Sequence, residues 1–343
     1  MKRKDLNVQT PSFLKLNKQA EKIYLNFSKV LKKNLKNKNF AIAISGGPDS
    51  LALAYLSQVY CLRENYKSQP HYLIVDHKIR KNSSKEALWV QKLLKSRSIK
   101  LKIIKNRQKI NNNIQAEARK VRYELLSNFC LKNKIKFILT AHHRDDQVET
   151  FLIRLSRGSG IQGLSSMDRV VKLNEKVSIF RPLLDLKKED LISISKSYFD
   201  RVVKDPSNDD NKYLRTKIRG LVKHFEKSGI DLDRVHHSIK NLAASRDILN
   251  SYIKSVEKKC VLKKRNQILI NLDSFSKEKQ EIQLKILGNC IKQTSKAYYP
   301  PRAKKVINLL ENIRSKSILK ATLGNCLIEK KEKNLIIRKE YLN

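Results

Sequence analysis

A chain of 343 residues with 40% hydrophobic side chains is long enough for about two domains and can fill a core. The formal charge of +42 points to a polyanionic partner, yet it is spread evenly, 47 basic against 20 acidic side chains in residues 1–220 and 27 against 12 in 221–343, so charge alone locates no patch. No apolar run approaches the ~18 residues of a membrane span, no apolar segment follows the basic Lys2-Arg3-Lys4, and the five cysteines form no CxxC pair, so the expectation is a cytoplasmic protein with free thiols and neither secretory signal, zinc site nor disulfide framework.

Residues 1–38 read as a basic, partly helical lead-in. Residues 40–45 are a short apolar run, hence a buried strand, and 50–63 have helical spacing. Residues 71–75 form a second strand. Residues 83–96 form a helix opened by a capping box at Ser83 and Glu86. A third strand at 100–104, a long helix at 114–132, a fourth strand at 136–140 and a helix at 147–157 continue the rhythm. The pair 177–180 and 187–199 repeats it once more. Strands alternating with helices predict an α/β domain over 39–220, a Rossmann-like parallel sheet with helices on both faces. Ligands in such sheets bind beyond the C-terminal strand ends. From 221 to 343 the rhythm changes. Helices are expected at 236–255, 278–292 and 303–313, then short strands over 317–340, giving a smaller, mainly helical domain with a short β tail.

The first strand runs into Ser45-Gly46-Gly47-Pro48-Asp49-Ser50. Two glycines let the backbone turn several N–H groups toward one anion, and the helix that follows adds its positive end. That suits a pyrophosphate. Asp49 repels such a group unless Mg²⁺ lies between them. A lone Asp or Ser here would be read as a helix cap. The whole hexapeptide, after a strand and before a helix, is similar to the SGGxDS loop of the N-type ATP pyrophosphatases. That resemblance implies a PP-loop fold, ATP cleaved between its α- and β-phosphates, and an Asp49 that carries or positions the magnesium. Ser45 to Ser50 are then the expected ATP loop.

Further segments narrow the resemblance. They are Val75-Asp76-His77-Lys78-Ile79-Arg80, Ala118-Arg119-Lys120-Val121-Arg122-Tyr123, and Thr140-Ala141-His142-His143-Arg144-Asp145-Asp146-Gln147-Val148-Glu149-Thr150. Arg154–Gly160, Gly163-Leu164, Arg181-Pro182-Leu183-Leu184 and Asp205-Pro206-Ser207-Asn208 follow, then Arg215 and Arg219. In this order, over roughly 38–220, the set closely resembles the tRNA(Ile)-lysidine synthetase family. The family reaction adenylates the 2-carbonyl oxygen of the wobble cytidine in a CAU anticodon. The ε-amine of lysine then attacks that carbon and AMP leaves. The resemblance implies ATP and Mg²⁺, free L-lysine and an isoleucine tRNA as partners, and assigns 221–343 to tRNA binding.

The residues suit this chemistry. An ε-amine with a reference pKa of about 10.4 is mostly ammonium at neutral pH and needs anions to bind it. Asp146 and Glu149, three apart on one helix face, resemble the family's lysine carboxylates. Acidic residues in a first turn also complement the helix dipole. Asp76, His77 and His142 follow strands and are expected near the nucleotide, His142 or His143 also in proton transfer. Arg119 and Arg122 lie three apart on a helix, Arg119 with Arg215 expected in catalysis, and Arg122, Arg215 and Arg219 on tRNA; a solvated basic face is the plainer alternative. Gly158-Ser159-Gly160 is a flexible loop able to close over ATP or base. Pro48, Ile79 and Thr216 depart from the family pattern without removing a reactive group. Among rivals, cytidine thiolation lacks a CxxC, an amidating ligase lacks a glutaminase-like segment, and a non-catalytic RNA-binding protein would not need Asp49, Asp146 and Glu149 intact.

Overall fold

The computed structural model describes residues 16–66, 68–79, 82–108, 114–199, 214–297, 300–315 and 319–340. Arg80 and Asp205-Pro206-Ser207-Asn208 lie outside the described residues. In chain order the first elements are α1 (Lys18–Leu35), β1 (Phe40–Ile44), α2 (Pro48–Arg63), β2 (His71–Asp76), α3 (Ser83–Lys95), β3 (Leu101–Lys105) and α4 (Ile114–Lys132). Then come β4 (Phe137–Leu139), α5 (Arg144–Leu155), α6 (Ile161–Leu164), β5 (Val170–Lys172), β6 (Ser178–Phe180), α7 (Lys188–Tyr198), α8 (Leu214–Lys227) and α9 (Leu232–Cys260).

The central strand shows how the pattern becomes layers. Side chains alternate across a strand. In β1, Phe40, Ile42 and Ile44 enter one core with Phe27 and Leu31 of α1, Leu53 and Leu56 of α2, Leu94 of α3 and Leu191 of α7. Ala41 faces the other side, with Leu126 and Cys130 of α4 and Ile138 of β4. Both faces are covered, which is why β1 is a continuous apolar run. The strand order is β3-β2-β1-β4-β6-β5. β1 pairs in parallel with both β2 and β4, so the direction of winding reverses between β1 and β4. That reversal is where an open α/β sheet leaves a crevice.

Four local expectations change. The lead-in is not separate: α1 buries Ile23, Phe27, Leu31 and Leu35 in the first core, because its apolar residues recur at helical spacing. Ser83 does not cap α3. Asn82 holds that position, and Ser83 Oγ instead donates to Asp76 Oδ1 at 2.8 Å. The sheet carries an antiparallel edge strand, β5, folded back on β6. The stretch after Gly158-Ser159-Gly160 is tied down, since Arg154 donates to the carbonyls of Gly163 and Ser166, both at 2.8 Å.

The chain divides into two compact units, Met1–Asn241 and Leu242–Asn343. The first extends past residue 220 because α5 and the start of α9 share a small core of Val148, Leu232 and Ile239, with Val222 of α8 packed against it. The second unit contains β7 (Val261–Lys263), β8 (Gln267–Asn271), α10 (Leu272–Phe275), α11 (Gln280–Ser295), α12 (Ala303–Ser315), β9 (Leu319–Thr322), β10 (Cys326–Lys331) and β11 (Asn334–Lys339). It is helical with an antiparallel strand tail, and β7 and β8 extend that tail to five strands in the order β7-β8-β11-β10-β9. Ile286, Leu287 and Ile291 of α11 and Leu310 of α12 pack on Ile270, Ile328 and Ile337 of this sheet. No helix among the described residues is long and apolar enough to cross a membrane. All five cysteines are free and buried.

Candidate functional site

Between Ile44 and Pro48 the chain turns with Gly46 at φ +86°, a left-handed conformation that glycine adopts without penalty. Gly47 caps α2 and Pro48 opens it. Ser50 holds the turn. Its Oγ accepts from the N–H groups of Ser45 (3.2 Å) and Gly46 (3.1 Å) and donates to the Gly47 carbonyl (2.9 Å). Helix geometry leaves the N–H groups of Gly47, Asp49 and Ser50 without an acceptor inside the helix, at its positive end. Asp49 projects from this first turn. Its Oδ1 is buried and has no hydrogen-bond partner.

The neighbouring strand supplies the opposite wall. After β4, Thr140 Oγ1 lies 2.9 Å from His142 Nδ1. Burial is the main force on His142 and pushes its pKa down to about 3; Asp146 opposes the shift, and Arg181, Arg119 and Arg122 reinforce it. The ring is therefore neutral. His143 caps α5, and its N–H donates to Asp146 Oδ2 at 3.1 Å. Its Nε2 stands 3.6 Å from Asp49 Oδ2 and 3.5 Å from Asp146 Oδ2. Burial works against a charged His143 ring, but Asp49, Asp146 and Asp145 outweigh it and raise the pKa.

Asp146 and Glu149 are both buried on α5. Arg215 of α8 reaches both, with one terminal nitrogen on Asp146 Oδ1 and its Nε 2.5 Å from Glu149 Oε2. Arg219, one turn along, donates to Glu149 Oε1 at 2.7 Å. Burial opposes ionisation of Asp146, yet His143, Arg215 and the His143 N–H hold its carboxyl below the usual range. Burial likewise opposes the Arg215 charge, which Asp146 and Glu149 more than restore.

These groups surround a cleft of about 350 Å³. Ser45, Gly47, Asp49 and Ser50 line one side, His142 and Asp146 another, and Arg119, Arg122, Arg215 and Arg219 complete it. Four features thus converge on the β1/β4 reversal: a basic rim, two helix N-termini and an unpartnered carboxylate oxygen. Arg119 and Arg122 each lie over the Tyr123 ring, at 5.2 and 5.3 Å from its centroid, a contact that helps to orient both guanidinium groups.

Residues 17–225 match the PP-loop domain family. The chain is 37% identical over 308 residues to the tRNA(Ile)-lysidine synthase of Wolbachia pipientis wMel, covering 89% of this chain and 71% of that protein. It is 32% identical over 322 residues to the tRNA(Ile)-lysidine synthase of Orientia tsutsugamushi (strain Boryong), covering 89% and 70%. The chain belongs to the tRNA(Ile)-lysidine synthase family. Among solved structures, the U34-tRNA thiolase NcsA from Methanococcus maripaludis aligns with 65% of this chain and 78% of its own, at a TM-score of 0.53 and 17% identity. That likeness concerns the fold.

Within this family member, most of the residues singled out from the sequence meet at one cleft, and some do not line it. Gly46 and Pro48 shape the loop from behind. Glu149 lies beneath the cleft under its two arginines. Asp76 is consumed by local structure: Oδ1 accepts from the Lys78 N–H and Ser83 Oγ, Oδ2 from Ser84 Oγ at 2.5 Å. Burial opposes its charge, and Ser84, Ser83 and the Lys78 N–H hold its carboxyl below the usual range. His77 is half-buried beside it, and burial together with Arg122 lowers its pKa. Neither residue lines the cleft. His143 was legible only as half of a histidine pair. Thr140 and Thr216 also line the cleft; the first opens a recognised segment and the second departs from the family pattern, but neither was assigned a role from the sequence.

Proposed function

We propose that this chain ligates L-lysine to carbon 2 of the wobble cytidine of an isoleucine tRNA with a CAU anticodon, forming lysidine, AMP and pyrophosphate from ATP. One observation carries the reading. The glycine loop with Asp49 opens on the same cleft as Asp146, and Arg215 ties Asp146 to Glu149 beneath it, so a phosphate-binding end and a cation-binding end face one reacting centre.

The loop and the α2 N-terminus bind the triphosphate through backbone N–H groups, with Ser50 keeping the turn rigid before substrate arrives. The unpartnered Asp49 Oδ1 fits a divalent cation, and no group of three or more possible ligands exists among the described residues, so Asp49 would be its protein ligand and the remaining oxygens would come from phosphate and water. Magnesium there would supply charge neutralisation for the departing pyrophosphate. Arg119 and Arg122 stand where a phosphoryl group or the cytosine needs a planar donor. The 2-carbonyl oxygen displaces pyrophosphate from the α-phosphorus. Asp146 and Glu149 bind the lysine ammonium and offer an acceptor for the proton it must lose before attack. The amine then forms the C–N bond at carbon 2, and AMP departs with the former carbonyl oxygen. Lysine-rich surfaces on both units serve the polyanionic tRNA, and the cytoplasm is the proposed place of work.

Sulfur transfer to the base, the rival chemistry, lacks a carrier: none of the five buried cysteines lines the cleft. The deciding experiment incubates protein, ATP, Mg²⁺ and radiolabelled lysine with an isoleucine tRNA transcript bearing CAU, and with a methionine tRNA as control. Label retained on the isoleucine tRNA alone, with AMP and pyrophosphate released, is the expected result. Pyrophosphate release without label would refute the lysine assignment. Neither signal would refute the ligase.

A further inference from the structure

Every acceptor of the proposed ammonium site is already engaged. Asp146 Oδ1 takes the Arg215 guanidinium and Oδ2 the His143 N–H. Glu149 Oε2 takes Arg215 Nε, and Oε1 takes Arg219 Nε. Two buried carboxylates meet two guanidinium groups, and His143 Nε2 stands 3.5 Å from Asp146 Oδ2 as well. Adding a substrate ammonium to this set would leave an excess positive charge out of water, which is costly. A guanidinium and an ammonium are both cationic N–H donors, so the two compete for the same carboxylate charge.

We infer that Arg215 is a resident competitor for the amine: without nucleotide it occupies the carboxylates that the lysine ammonium needs, and the amine gains them once Arg215 is drawn to an anion in the cleft. This rests on the lysine reading above. Arg215 rather than Arg219 is the group that leaves. It is the one that bridges both carboxylates, so its departure is what frees Asp146, and it is the more exposed of the two side chains (40% against 29%); both line the cleft with the Ser45–Ser50 loop, Arg119 and Arg122. A phosphoryl group held by that loop gives its planar fork a bidentate anionic partner in place of the two carboxylates it leaves. Arg219 then remains on Glu149, and Asp146 becomes free to take the ammonium. The consequence is an order: nucleotide first, amine second. The nucleophile is kept from its site until there is an activated oxygen to displace.

Equilibrium dialysis of radiolabelled lysine tests this on the full chain, with norleucine, which lacks the ε-amine, as the contrasting ligand. The proteins are the parent, Arg215→Gln, Asp146→Asn and the double variant, each checked for folding by circular dichroism. The parent is also measured with Mg²⁺ and the α,β-methylene analogue of ATP. The expected result is weak lysine binding by the parent alone, at least about tenfold tighter binding in Arg215→Gln (1.4 kcal/mol), loss of that gain in the double variant, and a gain in the parent when the analogue is present. Norleucine binding does not change. Equal lysine affinity in parent and Arg215→Gln, with loss in Asp146→Asn, overturns the competitor and leaves the lysine site standing. Lysine binding indifferent to Asp146→Asn, or absent from every protein, overturns both. If Arg215→Gln does not fold, the analogue decides: unchanged lysine affinity in the parent overturns the inference.

Discussion

Replacing Ser50 by alanine removes one oxygen from a site that is 4% exposed, and four hydrogen bonds go with it, to the Ser45 and Gly46 N–H groups, the Ser45 hydroxyl and the Gly47 carbonyl. The Gly47 carbonyl keeps a partner, because the Leu51 N–H donates to it at 3.1 Å. The Gly46 N–H does not, and a buried donor left unsatisfied costs about 1–3 kcal/mol. The expected loss is therefore about 2 kcal/mol. In a unit of this size that lowers Tm by roughly 4–8 °C. Ser57 supplies the internal control. It lies two turns further along α2, is equally buried, and its hydroxyl has no partner. Ser57→Ala is the same chemical change without the hydrogen bonds, and its expected cost is within about 0.5 kcal/mol. Both variants are measured by urea unfolding at constant m, and ATP affinity is measured in parallel. Ser50→Ala is expected to lose nucleotide affinity as the turn relaxes, and Ser57→Ala to keep it. Equal stability and equal nucleotide affinity in the two variants would refute the idea that a side chain, rather than the backbone alone, sets the phosphate loop.

Asp49→Asn keeps shape and removes the charge of a carboxylate whose Oδ1 has no hydrogen-bond partner and whose Oδ2 lies 3.6 Å from His143 Nε2, so Tm should fall only slightly while tRNA-dependent pyrophosphate release falls about 100-fold or more; near-parental release would remove Asp49 from the cation site. His142 is held neutral by burial down to about pH 3, whereas the unfolded ring takes a proton near 6.5, so folding free energy should fall by about 1.4 kcal/mol per unit as pH drops below 6.5. His142→Gln should flatten that part of the slope in urea unfolding at pH 7.5 and 5.5, and an unchanged slope would show that the ring is protonated in the fold. Binding to tRNA should weaken steeply between about 50 and 200 mM salt because phosphate contacts release counterions, and a flat response would refute basic residues as the main source of affinity.

Local pattern was enough for the elements that build the site. The apolar run at Phe40–Ile44, the two glycines and the helix after them follow from strand burial, turn chemistry and helix capping, each decided within a few residues. Spacing alone placed Asp146 and Glu149 on one face of α5. Partner choice was not local. Arg215 and Arg219 reach Glu149 across 66 and 70 residues, and they do so because α8 packs on α5 through Val148, Phe151 and Val222 beside Leu232 and Ile239. Which of two adjacent histidines lines the cleft, and which stands between Asp49 and Asp146, depends on how the chain leaves β4. Asp76 looked like a ligand in the sequence; the turn into α3 brought two serine hydroxyls onto it and used it up. Local pattern and motif order thus carried the strand–loop–helix units and the family. Which charges neutralise one another was settled by packing, since a buried carboxylate takes whichever cation the packing delivers.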